Sequence, residues 1–446
     1  MPSRQDQLHS YQFQVQRVVS ALVMRETDPA QPPFRRGAGA ALAGVLVAAI
    51  VWGGFVVYGA LVDGGGTAWR DTSAVIVERE SGARYVYRDG KLHLVVNYSS
   101  ALLAVGSPQP KTVLVSRRSI EGVPRGSTLG IADAPDSLPA AGRLLGPPWT
   151  VCVSPGPASV VLVGATSTGG VRLGERAVLA RHPDGSVHLV WQNHRYRVRD
   201  PRLSLTALGW TTARPIAVAP ALLDALPEGA DLAVPRIADV GDRSVGVPSA
   251  RIGEVFVVTS QGGERQYAVA VRAGLAGITQ VQADLLLTAN RQDEPTELTQ
   301  GRFAAIDKAP DLVPAGLVPT VTPSLVGAFT GALCAVVRDD RGVADLVVDA
   351  DLPDVADAAR TRDGGADYVA VPPGRAALVE AVVAPGASGG TVSVVTDLGR
   401  RHAVVGADTL AMLGYGQVRP VRLPAAVVAL VGSGAPLDPA RAQAPV

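Results

Sequence analysis

Lysine is nearly absent from this sequence: in 446 residues only Lys91, Lys111 and Lys308 occur, and arginine supplies almost all the positive charge. A phosphate-binding P-loop needs a glycine-rich turn ending in Lys and then Ser or Thr. Backbone N–H groups and the ammonium hold the phosphates there, and the hydroxyl holds Mg²⁺. Lys91 follows Gly90 but precedes Leu92, and Lys111 precedes Thr112 without the glycines, so neither builds that loop. Excess charge is missing as well. With 41 basic and 40 acidic side chains the formal net charge is +1, which argues against a nucleic-acid surface. Aromatics make up only 4% of the chain, and Ala, Val and Leu take their place. This bias is the mark of a G+C-rich bacterial genome and carries no mechanism. Cysteine is reduced to Cys152 and Cys334.

What is present begins with one long apolar run. From Ala38 to Val62 no residue is charged, and at 1.5 Å per helical residue such a stretch reaches roughly 37 Å, enough to cross a bilayer core with some tilt. A cleaved signal peptide has a shorter apolar region and a shorter lead, so the run reads as a transmembrane helix. Arg17, Arg25, Arg35 and Arg36 precede it and Asp63 follows it. The positive-inside rule then puts the N-terminus in the cytosol and everything after Asp63 on the far side, with Arg25, Arg35 and Arg36 setting the direction. Trp69 is placed to anchor the outer end of the span. Both cysteines lie beyond the span, where an oxidising compartment makes one disulfide the simplest reading and two buried thiols the alternative.

Before the span, Leu8, Tyr11, Val15, Val18 and Leu22 recur at spacings of three and four, one stripe of a helix that Val19 broadens. Asp28-Pro29 and Pro32-Pro33 are expected to end that helix and leave a short link to the membrane. A membrane-surface helix is usually strongly basic, and this one carries glutamines on its polar face, so its stripe is expected to meet partner proteins rather than lipid.

The exported region repeats itself. An arginine–aromatic motif occurs at Arg84-Tyr85-Val86, Arg195-Tyr196 with Val198, Arg265 with Tyr267 and Val269, and Arg401-His402 with Val404. A later mark follows each: Pro124-Arg125-Gly126, Pro227-Glu228-Gly229, Pro314-Ala315-Gly316 and Gly432-Ser433-Gly434. Ala207-Leu208-Gly209-Trp210 and Met412-Leu413-Gly414-Tyr415 add a third similarity. The first and third motifs stand 181 residues apart (265 − 84), and the cysteines 182 (334 − 152). The chain therefore reads as a duplicated half, unit, cysteine segment, unit. The second and fourth motifs stand 206 apart (401 − 195), which places some 24 extra residues after Cys334, in the acidic stretch between Asp339 and Asp367.

Turn signals at Arg88-Asp89-Gly90 and Pro183-Asp184-Gly185 and a helical stretch at Pro220 to Leu226 make each unit α+β. The Val-rich, Gly-rich stretches Trp149 to Thr166 and Leu325 to Ala350 read as strands of a central domain. The predicted order is a cytosolic amphipathic helix and linker (1–37), a transmembrane helix (38–62), unit 1 (63–135) and the first segment of the central domain (136–174). Unit 2 (175–247), unit 3 (248–318), the second segment of the central domain with the acidic insertion (319–362) and unit 4 with the tail (363–446) complete it.

Three constellations invite chemistry. Gly386-Ala387-Ser388-Gly389-Gly390 matches a nucleophile elbow, with Asp397 and His402 nearby, but the elbow needs a helix after the serine and Thr391 to Thr396 reads as a strand. A hairpin loop is expected instead. His182, His188 and His194 are evenly spaced, yet no cysteine or carboxylate spacing completes a metal set, and they read as exposed strand-end residues. Asp345, Asp349, Asp351, Asp354 and Asp357 resemble a calcium loop that Pro353 breaks, so a solvated acidic insertion is expected.

Ser10-Tyr11-Gln12-Phe13 leading through Arg17-Val18-Val19 to Ala21-Leu22-Val23, Gly90-Lys91-Leu92-His93, Asn97 to Leu103, Gly130 to Pro139, Trp149 with Cys152, and the tail Gly434 to Pro439 resemble blocks of EccB. EccB is a membrane component of ESX, or type VII, secretion systems. Leu94 departs from that pattern, and the third unit is the least regular. The resemblance implies one central domain carrying four repeat domains, and the residue spacings themselves give no reason to expect a cofactor or a metal. It also implies a place in an inner-membrane complex with an EccC-type ATPase, EccD, EccE, the mycosin protease and further copies of itself. The competing reading is an envelope enzyme, a nucleotide hydrolase, or a cell-wall-binding domain anchored to the membrane.

Overall fold

A computed structural model describes residues 3–25, 34–62, 67–154, 158–312, 318–353, 358–361 and 365–446. The N-terminal helix Arg4–Met24 opens on a capping box between Ser3 and Asp6 and ends at Arg25, whose left-handed backbone donates to the Ala21 carbonyl. It stops there, before the expected Asp28-Pro29 and Pro32-Pro33 breaks, which lie outside the described residues. The second helix, Phe34–Val62, starts four residues before the apolar run. Its stretch Ala38–Val56 is long and apolar enough to cross a membrane, and none of it is buried against the rest of the chain. Asp63 falls outside the described residues.

Four small sheets then share one wiring. In each, three strands form an antiparallel meander joined by short connections: Ala74–Glu78, Arg84–Arg88 and Lys91–Leu94 in the first, Val178–Arg181, Val187–Trp191 and His194–Val198 in the second. The third uses Val255–Thr259, Arg265–Val271 and Gly274–Ile278, and the fourth Ala376–Val382, Thr391–Thr396 and Arg400–Ala403. Arg88-Asp89-Gly90 turns as its composition demands, with Asp89 and Gly90 at φ 52° and 75°. A helix follows each meander, and a fourth strand returns parallel to the first: Lys111–Val115, Ile216–Ala217, Thr296–Leu298 and Val421–Pro424. The chain then crosses back to run beside the third strand, at Arg125, Glu228, Lys308 and Gly432.

The central sheet has seven strands in the order Ala359–Arg360, Tyr368–Ala370, Ser159–Val163, Trp149–Val153, Ala332–Asp339, Gly342–Asp351, Thr168–Arg172. Its middle pair relates the two halves, and the outer strands are exchanged. Thr168–Arg172 pairs with the later half's hairpin, and Tyr368–Ala370 with the earlier one. The connecting segments are exchanged too: Leu144–Leu145 lies against Ala376–Ala377, and Leu325 against Ala177. One face of this sheet packs with the helices Pro220–Ala225 and Ala425–Ala429 in the largest core, through Leu222, Leu223, Val427 and Val428. First and fourth sheets share a second core, in which Leu102 and Leu103 meet Leu413, Tyr415 and Leu437. Second and third share another, where Val281 and Leu285 enter beside Trp191 and Trp210.

Several expectations change. The arginine–aromatic motif falls on the second strand in the first and third sheets but on the third strand in the second and fourth. It matches halves faithfully and units only loosely. The bridges Val95 to Leu129, Val198 to Leu232 and Val404 to Leu437 give the true correspondence, which makes His93, Tyr196 and His402 equivalent. Trp69 does not anchor the span: it is 6% exposed, packed edge-on to Tyr87 in the first sheet's core. The extra length of the later half is divided between its longer central hairpin with Ala359–Arg360 and the loop 383–390. The third unit, least regular in sequence, forms a full five-stranded sheet with the body's longest helix among the described residues, Gln280–Asn290. Pro314-Ala315-Gly316, Asp354 and Asp357 lie outside the described residues.

Candidate functional site

Leu8, Tyr11, Val15, Val18 and Leu22 are all exposed on the N-terminal helix, and Val19 is partly covered. Phe13 and Val23 are exposed as well, so the apolar surface is wider than the stripe, and only an all-round count of apolar residues would have found them. The Arg17 guanidinium lies 6.0 Å over the Phe13 ring. Such a surface is unstable in water and calls for a cover. Arg25 caps this helix, and Arg35 and Arg36 sit in the first turn of the second.

Cys152 and Cys334 are bonded to each other and fully buried. They sit directly opposite on the central pair of strands, with Cα atoms 4.1 Å apart. Around them Val160, Leu162, Ala332 and Ala350 close the second face of the sheet.

The chemical constellations disperse. Gly386 to Gly390 is the loop of an antiparallel hairpin, so Ser388 has no helix behind it. That loop is held by charge: Gly386 N–H donates to Asp340, Gly390 N–H to Glu380, and Arg422 pairs with both acids while donating to the Ala387 carbonyl. His402 is buried on a strand with Nδ1 2.9 Å from the Ala435 carbonyl oxygen, and burial lowers its pKa. His182 and His194 lie at strand ends but are half-buried rather than exposed, and His188 is buried in mid-strand against Ser186, where burial lowers its pKa also. Among the described residues no cluster of three or more His, Cys, Asp or Glu is placed to hold a metal ion. Asp345 is not a solvated acid: Arg172 and Arg338 pair with it. Asp349 accepts from the Thr330 and Gly331 N–H groups and shapes the backbone there.

Lys91 and Lys111 begin strands, with no glycine-rich cradle beside either. Lys308 donates to the Phe303 and Ile306 carbonyls and closes the helix Gln300–Ala305. A groove of about 910 Å³ runs past Ser260, Glu264, Arg265, Tyr267, Gln280 and Gln300, and its lining holds no histidine, cysteine or second carboxylate.

Nothing in the sequence signals the clasp between first and fourth sheets. The tail donates from the Val446 N–H to the Thr128 carbonyl and accepts at the Ala444 carbonyl from Gly130. Arg88 reaches Gln443, and the Tyr415 hydroxyl donates to the Pro139 carbonyl. These partners lie hundreds of residues apart, and no local pattern links them.

Comparison with known proteins agrees with this geometry. EccB2 of Mycobacterium tuberculosis, named an ESX-2 secretion system ATPase, is 35% identical over 49% of this chain and 46% of its own length, so the match spans about half of that relative. EccB3 of Mycolicibacterium smegmatis, named an ESX-3 secretion system ATPase, is 26% identical over 97% of this chain and 88% of its own. A chain of the intact ESX-5 inner membrane complex superposes with TM-score 0.67 at 25% identity, covering 100% of this chain and 96% of that one. The EccB3 dimer from the ESX-3 core complex gives 0.66 at 25% identity over 83% and 100%. The family model for type VII secretion system ESX-1, transport TM domain B, matches residues 1–445. That match takes in the N-terminal helix, the span, both cysteines and all five sheets, and the chain belongs to the EccB family.

Proposed function

We propose that this protein is a structural subunit of an ESX, or type VII, secretion complex in the inner membrane. One observation carries the reading: in a chain matched along its length by the EccB family model, a wide, uncovered apolar surface on the N-terminal helix precedes a membrane-length helix. The N-terminus faces the cytosol, as the arginines before the span favour. There Leu8, Tyr11, Val15, Val18, Val19 and Leu22 meet neighbouring subunits. The exported body is one central domain with four repeat domains, divided near residues 135, 174, 247, 318 and 362, and the shared wiring of the four small sheets supports that division. Its partners are an EccC-type ATPase, EccD, EccE, the mycosin protease and other copies of itself. Relatives solved as a dimer and within an inner membrane complex support the self-association.

The name ATPase, which the relatives carry, favours a second reading, nucleotide hydrolysis by this chain. The strand positions of Lys91 and Lys111 weigh against it, and the motor belongs to a partner. Mild detergent extraction from native membranes tests the first reading. Co-purification with an ATPase and multi-span partners is expected, and a lone monomer overturns it. Hydrolysis above background by the purified chain, abolished by Lys91→Ala or Lys111→Ala, would establish the second.

A further inference from the structure

The four small sheets end differently on the side of their fourth strand. In the second sheet that strand is Ile216–Ala217, in the third Thr296–Leu298. In the fourth, Val421–Pro424 closes on a proline, and its Arg422 is held by Asp340 and Glu380. These edges are short or blocked, as edges that must not pair usually are. The first sheet is the exception. Lys111–Val115 pairs with Ala74–Glu78 along its whole length without a bulge, and no strand covers its outer side among the described residues.

Its hydrogen bonding shows which groups are free. The Val115 carbonyl accepts from the Arg79 N–H and the Lys111 N–H donates to the Ser73 carbonyl, so Lys111, Val113 and Val115 turn their backbone groups inward. Parallel pairing alternates, and Thr112 and Leu114 therefore present theirs outward. Leu114 is also 58% exposed, an aliphatic side chain on an open edge.

We infer that this edge is a contact between two copies of the chain, paired antiparallel about Val113. The inference rests on the proposed self-association. In that register Thr112 of each copy exchanges hydrogen bonds with Leu114 of the other, about four bonds in all, and all the outward groups are satisfied. Each Leu114 side chain then lies beside Thr112 of the other copy on the same face of the joined sheet. Lys111 faces Val115 of the partner copy, and the two lysines stay about 14 Å apart at opposite ends. A short connection separates the membrane helix from this sheet, from Val62 to Ala74, so two anchored copies hold these edges at one height above the bilayer. Tethering of that kind raises the effective concentration of one edge for the other.

The test uses the full-length chain in native membranes. In the pair, the two Val113 Cα atoms stand about 4.5 Å apart, within disulfide reach. Val113→Cys under mild oxidation should give a covalent dimer that reductant dissolves, at least tenfold above Val245→Cys, an exposed site on another sheet's approach. Adding Leu114→Lys should lower the yield of that dimer at least fivefold. If Val113→Cys crosslinks no better than Val245→Cys while native gels still show self-association, the edge contact is overturned and the wider reading stands. If native gels show no self-association at all, that reading falls with it.

Discussion

Three glycines show how single atoms hold the repeated design. Gly126, Gly229 and Gly434 each lie flat on an aromatic ring, and a Cβ there would stand 2.2 Å from His93, Tyr196 and His402 respectively. No left-handed backbone is involved at these sites, so the constraint is purely steric. His402 is 3% exposed and tied to the Ala435 carbonyl, so its ring has nowhere to go. Gly434→Ala should therefore cost about 1–3 kcal/mol in thermal or denaturant unfolding, the usual penalty of overpacking. Gly142→Ala, in open space, should change stability by no more than about 0.5 kcal/mol. The same burial makes His402 an acid-sensitive point. Its folded pKa lies below the unfolded value, so stability is complete above about pH 6.5 and declines as pH falls toward the folded pKa, while only the unfolded chain takes up the proton. The slope from this residue cannot exceed about 1.4 kcal/mol per pH unit, and His402→Gln should remove it from a plot of unfolding free energy against pH. His188, also lowered by burial, contributes in the same direction and should leave a residual slope.

At the scale of elements, the helices Pro220–Ala225 and Ala425–Ala429 meet each other across the centre of the molecule. Both begin where proline or its neighbour fixes the path of the chain, and both bury a pair of aliphatic residues on the central sheet. Leu222 is wholly buried there, so Leu222→Ala should destabilise by about 2–5 kcal/mol, measured by urea unfolding. Elements of this kind were legible where chemistry is local. Asp89-Gly90 dictates a hairpin, and the Val-rich run from Thr391 excludes an elbow at Ser388. What stayed hidden depends on distant chain. Trp69 lies beside a span and has the composition of a membrane anchor, yet the first sheet needs its ring. His188 sits in the apolar run Val187 to Trp191, whose strand is covered on both faces, and the even spacing of the three histidines said nothing of that burial. The exchanged strands Thr168–Arg172 and Tyr368–Ala370 are short and carry no mark of the partner they choose.

At the scale of the molecule, exchange is what makes two similar halves into one body. Each half lends the other an edge strand of the central sheet and a connecting segment for a small sheet, and the C-terminal tail fastens the first sheet to the fourth. The near-equal spacings of the cysteines and of the first and third motifs are compatible with this exchange, since the two cysteine strands lie side by side at the middle of the central sheet. Halves that cannot complete their own sheets should unfold together, in a single transition by both far-ultraviolet circular dichroism and tryptophan fluorescence. The disulfide joins residues 182 apart at the centre of this exchange. Closing so long a loop restricts the unfolded chain by about 5 kcal/mol in the chain-entropy account. Both cysteines are buried, so reductant meets them only as the body opens. Full-length protein heated in detergent with a reducing agent should therefore melt several degrees lower than without it. The Cys152→Ala, Cys334→Ala double variant should match the reduced sample and ignore reductant. If reductant leaves the unsubstituted chain's melting temperature unchanged, packing and strand exchange hold the halves by themselves and the bridge is dispensable.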